Sequence, residues 1–167
     1  VQLLDCDVEE PNVHLFLKIE DKQIENVSVP VPDINKDICT LCAECSKFCQ
    51  YHALACLKTE ILVFPELCHG CGGCSKVCPA QAIQEKDRNI GIVESGKSGH
   101  ILWVQGRLNV GVAMSTPLIQ YVKKFISPES PVILDSPPGT SCPVVTTIEG
   151  TDFVILVTEP TPFGLHD

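Results

Sequence analysis

The sequence contains no long apolar run and no cluster of basic residues. None of its segments approaches the roughly 18 uninterrupted apolar residues that a membrane-spanning helix requires, so no span is predicted. Lysine and arginine number 12 against 21 aspartates and glutamates, which gives a formal net charge of −9. Without a basic surface there is little to attract phosphate groups, so neither nucleic acid nor anionic lipid is an expected partner.

A secretory leader is also missing from the first residues, although the chain has 11 cysteines. In a secreted chain of this size, so many cysteines would predict a disulfide framework. The missing leader and the tight Cys-x-x-Cys spacing favour metal ligation in a reducing compartment instead. We therefore predict a cytoplasmic protein whose cysteines bind metal.

The chain has one methionine and does not begin with it. It opens directly on the apolar run "VQLL". It closes on "TDFVILVTEPTPFGLHD", in which a buried-type strand leads into a turn and the start of a helix. We expect this to be the middle part of a longer protein.

Three parts are expected along the chain. Residues 1–30 hold a short buried strand to Leu4, a turn at "EEPN", and "VHLFLKI", which fits an edge strand or one helical turn. Residues 31–90 contain the clustered cysteines and are entered through the proline-rich joint "VPVPD". We predict that 1–30 and 91–167 form one discontinuous domain and that 31–90 is an insert in it.

The last part alternates strands with helices. "HILWVQGRLNVGV" predicts two short strands joined by a glycine turn, and "TPLIQYVKKFI" predicts a helix capped by Thr116 with Pro117 at its first position. "PVILD" and "DFVILVT" have the composition of buried strands, with a short helix, "CPVVTTIEG", between them. Apolar strands that alternate with helices are typical of a parallel sheet covered on both faces. The predicted fold class is α/β.

Two cysteine cassettes are the strongest chemical signal in the sequence. Both follow the spacing C-x-x-C-x-x-C-x-x-x-C, which is that of two-cluster bacterial ferredoxins. Three cysteines two residues apart can wrap one face of a cubane, while the fourth, displaced by a helical turn, points away from it. We therefore predict two 4Fe-4S clusters with crossed ligands. One set is Cys39, Cys42, Cys45 and Cys78, and the other is Cys68, Cys71, Cys74 and Cys49.

Zinc is the alternative occupant, because paired Cys-x-x-Cys motifs also build tetrahedral zinc sites. Zinc seldom needs eight cysteines in a repeated pattern of this kind, so iron–sulphur clusters are favoured. Outside the cassettes, Cys56 is expected to be a small packing residue or a free thiol, and Cys6 and Cys142 are expected to be buried packing residues rather than reactive thiols. His52 and His69 flank the cassettes and are expected to be surface histidines.

An internal repeat supports the cluster prediction. "AECSKFCQYHALA" parallels "GGCSKVCPAQAIQ", and Gly70, Gly72 and Gly73 leave room for backbone amides to approach cluster sulphur. On these residues the cysteine region resembles the two-cluster ferredoxin family, although Gln50 stands where a proline is expected. The resemblance implies an α+β fold of two small hairpin-and-helix units related by a pseudo-twofold axis, and one-electron transfer.

The flanking parts resemble a different family. "LLDCDVEEPN", "ILDSPPGTSCP" and "VTEPTPFGLHD" are similar to segments of the MinD/ParA-type, deviant-Walker P-loop ATPases, and more narrowly to the subgroup with an inserted ferredoxin domain. This resemblance implies a partial three-layer, Rossmann-like P-loop NTPase fold. It also implies that Asp7 lies in the first switch near the attacking water, with Asp5 beneath it, and that Asp135 is the Walker B acid, which holds Mg²⁺ through water.

The same resemblance assigns further nucleotide contacts. Gly139 corresponds to the second-switch glycine that senses the γ-phosphate, and Thr158, Glu159 and Pro160 to the loop against the nucleotide base. No segment fits the phosphate loop G-x-x-x-x-G-K-S/T, and "ESGKSGH" is predicted to be a surface turn. We therefore expect this chain alone to bind Mg-ATP weakly and to hydrolyse it negligibly.

The functional prediction is an iron–sulphur ATPase fragment. In the intact protein, which the resemblance implies is an ATPase, nucleotide binding would be coupled to electron transfer or to delivery of a metal or cluster cofactor. The expected partners are a redox protein or a cofactor-accepting protein, and the intact protein would be a homodimer or pair with a paralogous subunit. The alternatives are a ferredoxin-type electron carrier without ATPase activity and, less favoured, a zinc-binding module.

Overall fold

The computed structural model describes residues 1–162 and 164. The chain divides into two compact units, one made of Val1–Val27 with Ile90–Asp167 and the other of Ser28–Asn89. No helix within the described residues is long and apolar enough to cross a membrane. In chain order the strands are β1 (Gln2–Asp5), β2 (Glu20–Ile34), β3 (Leu54–Cys56), β4 (Ile61–Val63), β5 (Ile83–Ser98), β6 (Ile101–Leu108) and β7 (Val132–Asp135). The α-helices are α1 (Glu44–Phe48), α2 (Gly73–Lys76), α3 (Thr116–Lys123) and α4 (Cys142–Ile148).

The main sheet has five strands in the order β2-β5-β6-β1-β7. Strand β1 is parallel to both β6 and β7, whereas β5 is antiparallel to β6. The protein is therefore mixed α/β, and the expectation of an all-parallel sheet is wrong for the β5–β6 pair. The physical reason is the connection, because Gly99 and His100 alone join Ser98 to its register partner Ile101. A connection of two residues can join only antiparallel strands.

Strand β6 is continuous, although its glycine led to the prediction of a turn between two short strands. A Cβ added to Gly106 would lie 2.5 Å from Cγ1 of Val8 and 2.9 Å from Cγ2 of Val122. Glycine is therefore needed here for the close approach of neighbouring side chains, not for a turn. Val8, Trp103, Leu118 and Val122 are all almost completely buried in the core of this unit.

The helices of the first unit lie where their patterns predict them. Helix α3 begins at Thr116, with Ser115 rather than Thr116 at its N-cap position, and it buries Leu118, Ile119 and Val122. A short 3₁₀ helix at Val13–Phe16 confirms the helical alternative for "VHLFLKI". Helix α4 follows β7 as predicted.

The structure forms a strand at the predicted joint and forms none at the last predicted strand. The joint "VPVPD" lies inside strand β2, where Pro30 and Pro32 are tolerated because β2 is at the edge of the sheet order. The run Phe153–Val157 is not a buried strand, since it forms no strand in the structure and its side chains are 62–89% exposed. An apolar run is buried as a strand only where a neighbouring edge is available for pairing, and this run pairs with none of the described strands.

The second unit is small and is built around its cysteines. Strands β3 and β4 form an antiparallel hairpin in which Leu54 pairs with Val63. A cluster of buried residues packs at its centre, and partly buried cysteines surround it. Its members are Cys45, Leu54, Ile61, Cys74 and Ile83. Cysteine side chains are therefore part of the apolar core of this unit.

Candidate cysteine-lined metal centres

The backbone repeats itself within the second unit at a spacing of 29 residues. Residues with positive φ in the first cassette have counterparts with similar φ in the second. The pairs are Leu41 with Gly70 (55° and 63°), Ala43 with Gly72 (65° and 66°), and His52 with Gln81 (53° and 50°). The same spacing relates each cysteine of one cassette to a cysteine of the other. The sequence repeat is therefore also a structural repeat.

Hydrogen bonds cross between the two halves in a reciprocal manner. The backbone N–H of Asn35 donates to the carbonyl of Ala82, and that of Phe64 donates to the carbonyl of Ala53, both at 2.8 Å. Each bond is the counterpart of the other under the 29-residue repeat, with donor and acceptor halves exchanged. This exchange is what a pseudo-twofold relation between the halves requires.

The larger cavity of this unit lies among cysteines from both cassettes. Its volume is about 310 Å³, well above the roughly 10–15 Å³ of such space that one water molecule needs. Most of its lining is apolar, including Pro30, Phe48 and Leu54. The cysteines that line it are Cys49, Cys68, Cys71 and Cys74.

The remaining four cassette cysteines line a second cavity. This space is much smaller, at about 10 Å³. Ile34, Ile61 and Ile83 form its apolar part. Its cysteines are Cys39, Cys42, Cys45 and Cys78. In both cavities, three cysteines of one cassette meet the last cysteine of the other.

Backbone N–H groups point at the sulphur of the crossing cysteines. Ala53 donates to Sγ of Cys49 and Ala82 donates to Sγ of Cys78, each at 3.3 Å. Such bonds stabilise negative charge on sulphur. Burial acts in the opposite direction, because desolvation raises the pKa of the Cys74 thiol to about 11 and also raises the pKa of Cys45. A bound metal would favour the thiolate form of these buried groups.

The donor set fits an iron–sulphur cluster. Four cysteine sulphurs are the usual ligands of a 4Fe-4S cluster, and the larger cavity offers them around an apolar space. Among residues 1–162 and 164, no three His, Cys, Asp or Glu side chains lie close enough together to hold a single metal ion.

The cysteines outside the cassettes differ from one another. Cys6 is completely buried, as expected, and desolvation raises its pKa to about 12. Cys142 is exposed, so the expectation that it is a packing residue is wrong. It is the first residue of α4, a helix that rests on the rest of the unit chiefly through Thr147. His52 and His69 are at the surface as expected.

Acidic side chains of the first unit meet at one edge of its sheet. Asp5 and Asp135 end the neighbouring parallel strands β1 and β7 and are register partners. Burial raises the pKa of Asp5 to about 6, against backbone N–H donation from Asp7, Asn12 and Val13. Burial also raises the pKa of Asp7 and, with the charge of Asp7 adding to the effect, that of Asp135. The structure thus brings together the acids that the sequence placed at strand ends.

The contacts that the described residues give to the other predicted nucleotide residues are local. Gly139 has a φ of 90° and is exposed, with open space where a side chain would lie. Thr158 donates from Oγ1 to the carbonyl of Gly164 at 2.6 Å, and Glu159 and Pro160 are exposed beside it. The last residues of "VTEPTPFGLHD", apart from Gly164, lie outside the described part of the chain.

The same sheet contains a buried polar network that the sequence did not predict. Glu94 is 2% exposed and accepts hydrogen bonds from Arg107 at 2.8 Å and from the amide of Gln105 at 3.0 Å. Lys22 lies 2.6 Å from its other oxygen, and the Gln105 amide oxygen is 2.8 Å from Nδ1 of His14. Glu94 belongs to "ESGKSGH", so the prediction of a surface turn there holds only for Gly99 and His100, because the residues before them form β5.

Comparison with known proteins bears on the cysteine unit directly. Residues 61–84, which include the whole second cassette, match the family model described as "4Fe-4S binding domain". This part of the chain is thus of the ferredoxin type, and 4Fe-4S binding is the chemistry that its family shares.

The whole chain is similar to two proteins of Methanocaldococcus jannaschii. The uncharacterized protein MJ0578 is 33% identical over 98% of this chain and 58% of its own length. The uncharacterized protein MJ0579 is 30% identical over 99% of this chain and 60% of its own length. The chain therefore spans about three-fifths of the length of these relatives.

Proposed function

We propose that this protein is an iron–sulphur electron carrier whose Ser28–Asn89 unit holds two 4Fe-4S clusters with crossed ligands. The observation that supports it is the division of the eight cassette cysteines between two cavities, three from one cassette and the fourth from the other. One cluster would be held by Cys49, Cys68, Cys71 and Cys74. The other would be held by Cys39, Cys42, Cys45 and Cys78.

The chain's own residues would make such clusters stable electron carriers. A bound 4Fe-4S cluster accepts or releases one electron. The N–H groups of Ala53 and Ala82 would favour the more negative, reduced state by donating to ligand sulphur. Apolar residues such as Leu54 and Ile61 limit water around the sulphurs. Hydrogen bonds are electrostatically stronger in such a region than in water.

Anaerobic reconstitution of the full-length protein with iron and sulphide tests this function. We expect two four-iron clusters per chain, a broad visible absorption that dithionite bleaches, and paramagnetic resonance signals of two interacting reduced clusters. A protein that takes up zinc in preference to iron, or that binds only one cluster, would overturn the proposal.

A second function is supported by the acidic edge of the sheet. Asp5 and Asp135 end parallel strands with Asp7 close by, and ligands of open α/β sheets bind at the carboxyl ends of strands. We propose that the whole protein is an ATPase of the MinD/ParA type in which Asp135 holds Mg²⁺ through water and Asp7 lies near the attacking water. Gly139 would contact the γ-phosphate, and the nucleotide base would lie against Thr158, Glu159 and Pro160.

This second function belongs to the whole protein and is tested there. Asp135→Asn in the full-length protein should abolish Mg²⁺-dependent ATP hydrolysis and leave the iron content unchanged. Asp152→Asn, at an exposed acid, is the matched control and should leave turnover intact. If the unmodified full-length protein hydrolyses no ATP while its clusters are reduced normally, it is an electron carrier alone.

If the two proposed functions are coupled, they indicate which kinds of protein the full-length protein would act on. Nucleotide turnover would time electron transfer to a redox protein, or delivery of a metal or cluster to a cofactor-accepting protein. The full-length protein would act as a homodimer or with a paralogous subunit. Its mass in solution with and without Mg-ATP tests this, since a nucleotide-independent monomer would contradict it.

A further inference from the structure

Two aromatic rings stack at the opening of the larger cysteine cavity. The ring centroids of Tyr51 and His69 are 3.4 Å apart, and the ring planes are 14° from parallel. Both residues line the cavity, and both are exposed, Tyr51 by 48%. Side chains that line a cavity and also meet solvent stand at its opening. Because Tyr51 follows Cys49 and His69 follows Cys68, the stack joins the two cassettes across that opening.

The internal repeat shows what the other cavity has at the same positions. Under the 29-residue spacing, Tyr51 corresponds to Ala80 and His69 to Thr40. Ala80 and Thr40 both line the second cavity. One cysteine set therefore has two stacked rings at its rim, and the other has a methyl group and a small hydroxyl side chain.

Two other features are the same at the two sites. Cys71 and Cys42 occupy equivalent positions in the two cassettes, and both are exposed. The backbone at the paired glycine and alanine, Gly72 and Ala43, is also the same. The two sites thus share these backbone and exposure features, and the stacked rings are present at the larger cavity but not at the smaller one.

We propose that the Tyr51–His69 stack is a cover that restricts the entry of solutes to one cluster, the one held by the cysteines of the larger cavity. This inference rests on the proposed cluster function. A chelator or an oxidant larger than water that approaches through this opening must wait for the rings to separate, so the rate of cluster loss by this route follows the population of the open state. The cluster with Thr40 and Ala80 at its rim has no such step. The two clusters of one chain therefore differ in lability.

The test measures iron transfer to a chelator from the full-length, reconstituted protein. Tyr51→Ala copies the residue at the equivalent position, Ala80, while Tyr51→Phe keeps the ring. Cys78→Ser retains all four ligands of the covered site, and Cys49→Ser retains those of the other site, so each background reports one cluster. Phe64→Ala removes an aromatic that is 39% exposed and lines neither cavity, and serves as the matched control.

The expected result is specific to one background. In Cys78→Ser, Tyr51→Ala should raise the rate of iron loss roughly two- to tenfold, the factor that corresponds to the free energy of one aromatic pair. Tyr51→Phe and Phe64→Ala should leave the rate unchanged, and in Cys49→Ser the Tyr51→Ala change should have no effect. The melting temperature, measured in parallel, detects a general loosening of the fold.

Three results would overturn the cover. These are an unchanged rate in Tyr51→Ala, an equal increase in both backgrounds, or an increase that Tyr51→Phe shows as well. A protein that binds two clusters and gives any of these outcomes retains the proposed electron-carrier function but not the cover. A protein that binds no iron loses the proposed function itself.

Discussion

Ala43 and Gly72 occupy the same left-handed backbone conformation, with φ and ψ of 65° and 4° at Ala43 and 66° and 3° at Gly72. Each immediately precedes the short helix that carries the third cysteine of its cassette. Glycine adopts this conformation at no steric cost, whereas a residue with a Cβ meets its own carbonyl oxygen. The first cassette therefore contains a strained residue that its repeat avoids.

Ala43→Gly is expected to stabilise the protein. Relief of the left-handed strain should exceed the added freedom of the unfolded chain, for a net gain of about 0.5–1 kcal/mol in the free energy of unfolding. Thermal or urea unfolding of the reconstituted protein measures it. The reverse change, Gly72→Ala, should destabilise, since it introduces the strain and places a Cβ 2.8 Å from Oε1 of Glu85. A loss of stability in Ala43→Gly would show that Ala43 is not strained.

Crossed ligation predicts which cluster each cysteine substitution damages. Cys45→Ser and Cys78→Ser should disturb the same cluster although the residues belong to different cassettes, because both line the smaller cavity. Cys49→Ser should disturb the cluster that Cys74→Ser disturbs. Mössbauer or paramagnetic resonance spectra of the four variants sort them into pairs. Pairing by cassette, with Cys45 grouped with Cys49, would contradict the assignment.

Asp5 should make the stability of the protein depend on pH. Its pKa is about 6 in the folded chain, chiefly through burial, and about 3.9 in an unfolded chain. The folded state binds the proton more tightly, so the contribution of Asp5 is most favourable below about pH 4 and is lost as the pH rises through 6, by about 3 kcal/mol in full.

Urea unfolding between pH 5 and pH 8 measures this effect. The wild-type protein should lose stability relative to Asp5→Asn over that range, because asparagine keeps an acceptor oxygen for the N–H groups of Asn12 and Val13 but does not ionise. A difference between the two proteins that does not change with pH would show that Asp5 does not titrate there.

Glu94 should be a determinant of stability in the first unit. Glu94→Gln removes the charge that faces Lys22 and Arg107 inside the sheet, and we expect a loss of about 2 kcal/mol in the free energy of unfolding. The same change at Glu60, whose bond to Lys36 is at the surface, is the control and should have little effect. Equal effects of the two substitutions would mean that burial of the Glu94 network is unimportant.

Part of this architecture follows from local sequence pattern. Helix α3 is predicted by the spacing of Leu118, Ile119 and Val122, and β7 by a short apolar run that ends in Asp135. These elements are determined by residues near one another in the chain. The continuity of β6 was not predicted, because Gly106 has the character of a turn residue and its packing role appears only beside Val8 and Val122.

The cysteines that line the two cavities could be predicted from the sequence, whereas their surroundings could not. Cysteine spacing fixes which chemistry is possible, so the eight cassette cysteines stand out without a structure. The stack of Tyr51 on His69 depends on side chains 18 residues apart, and no local pattern brings them together. A signal was present nonetheless, because comparison at the 29-residue spacing would have shown rings in one half against Ala80 and Thr40 in the other.

The reciprocal hydrogen bonds of Asn35 with Ala82 and of Phe64 with Ala53 bear on how this unit can change in evolution. Each half of the Ser28–Asn89 unit supplies the partner of a backbone group in the other half. A gene rearrangement that deleted one half would leave the groups of the other without those partners, which costs stability. Selection on these bonds therefore favours keeping the two halves together, while their cavity rims can diverge.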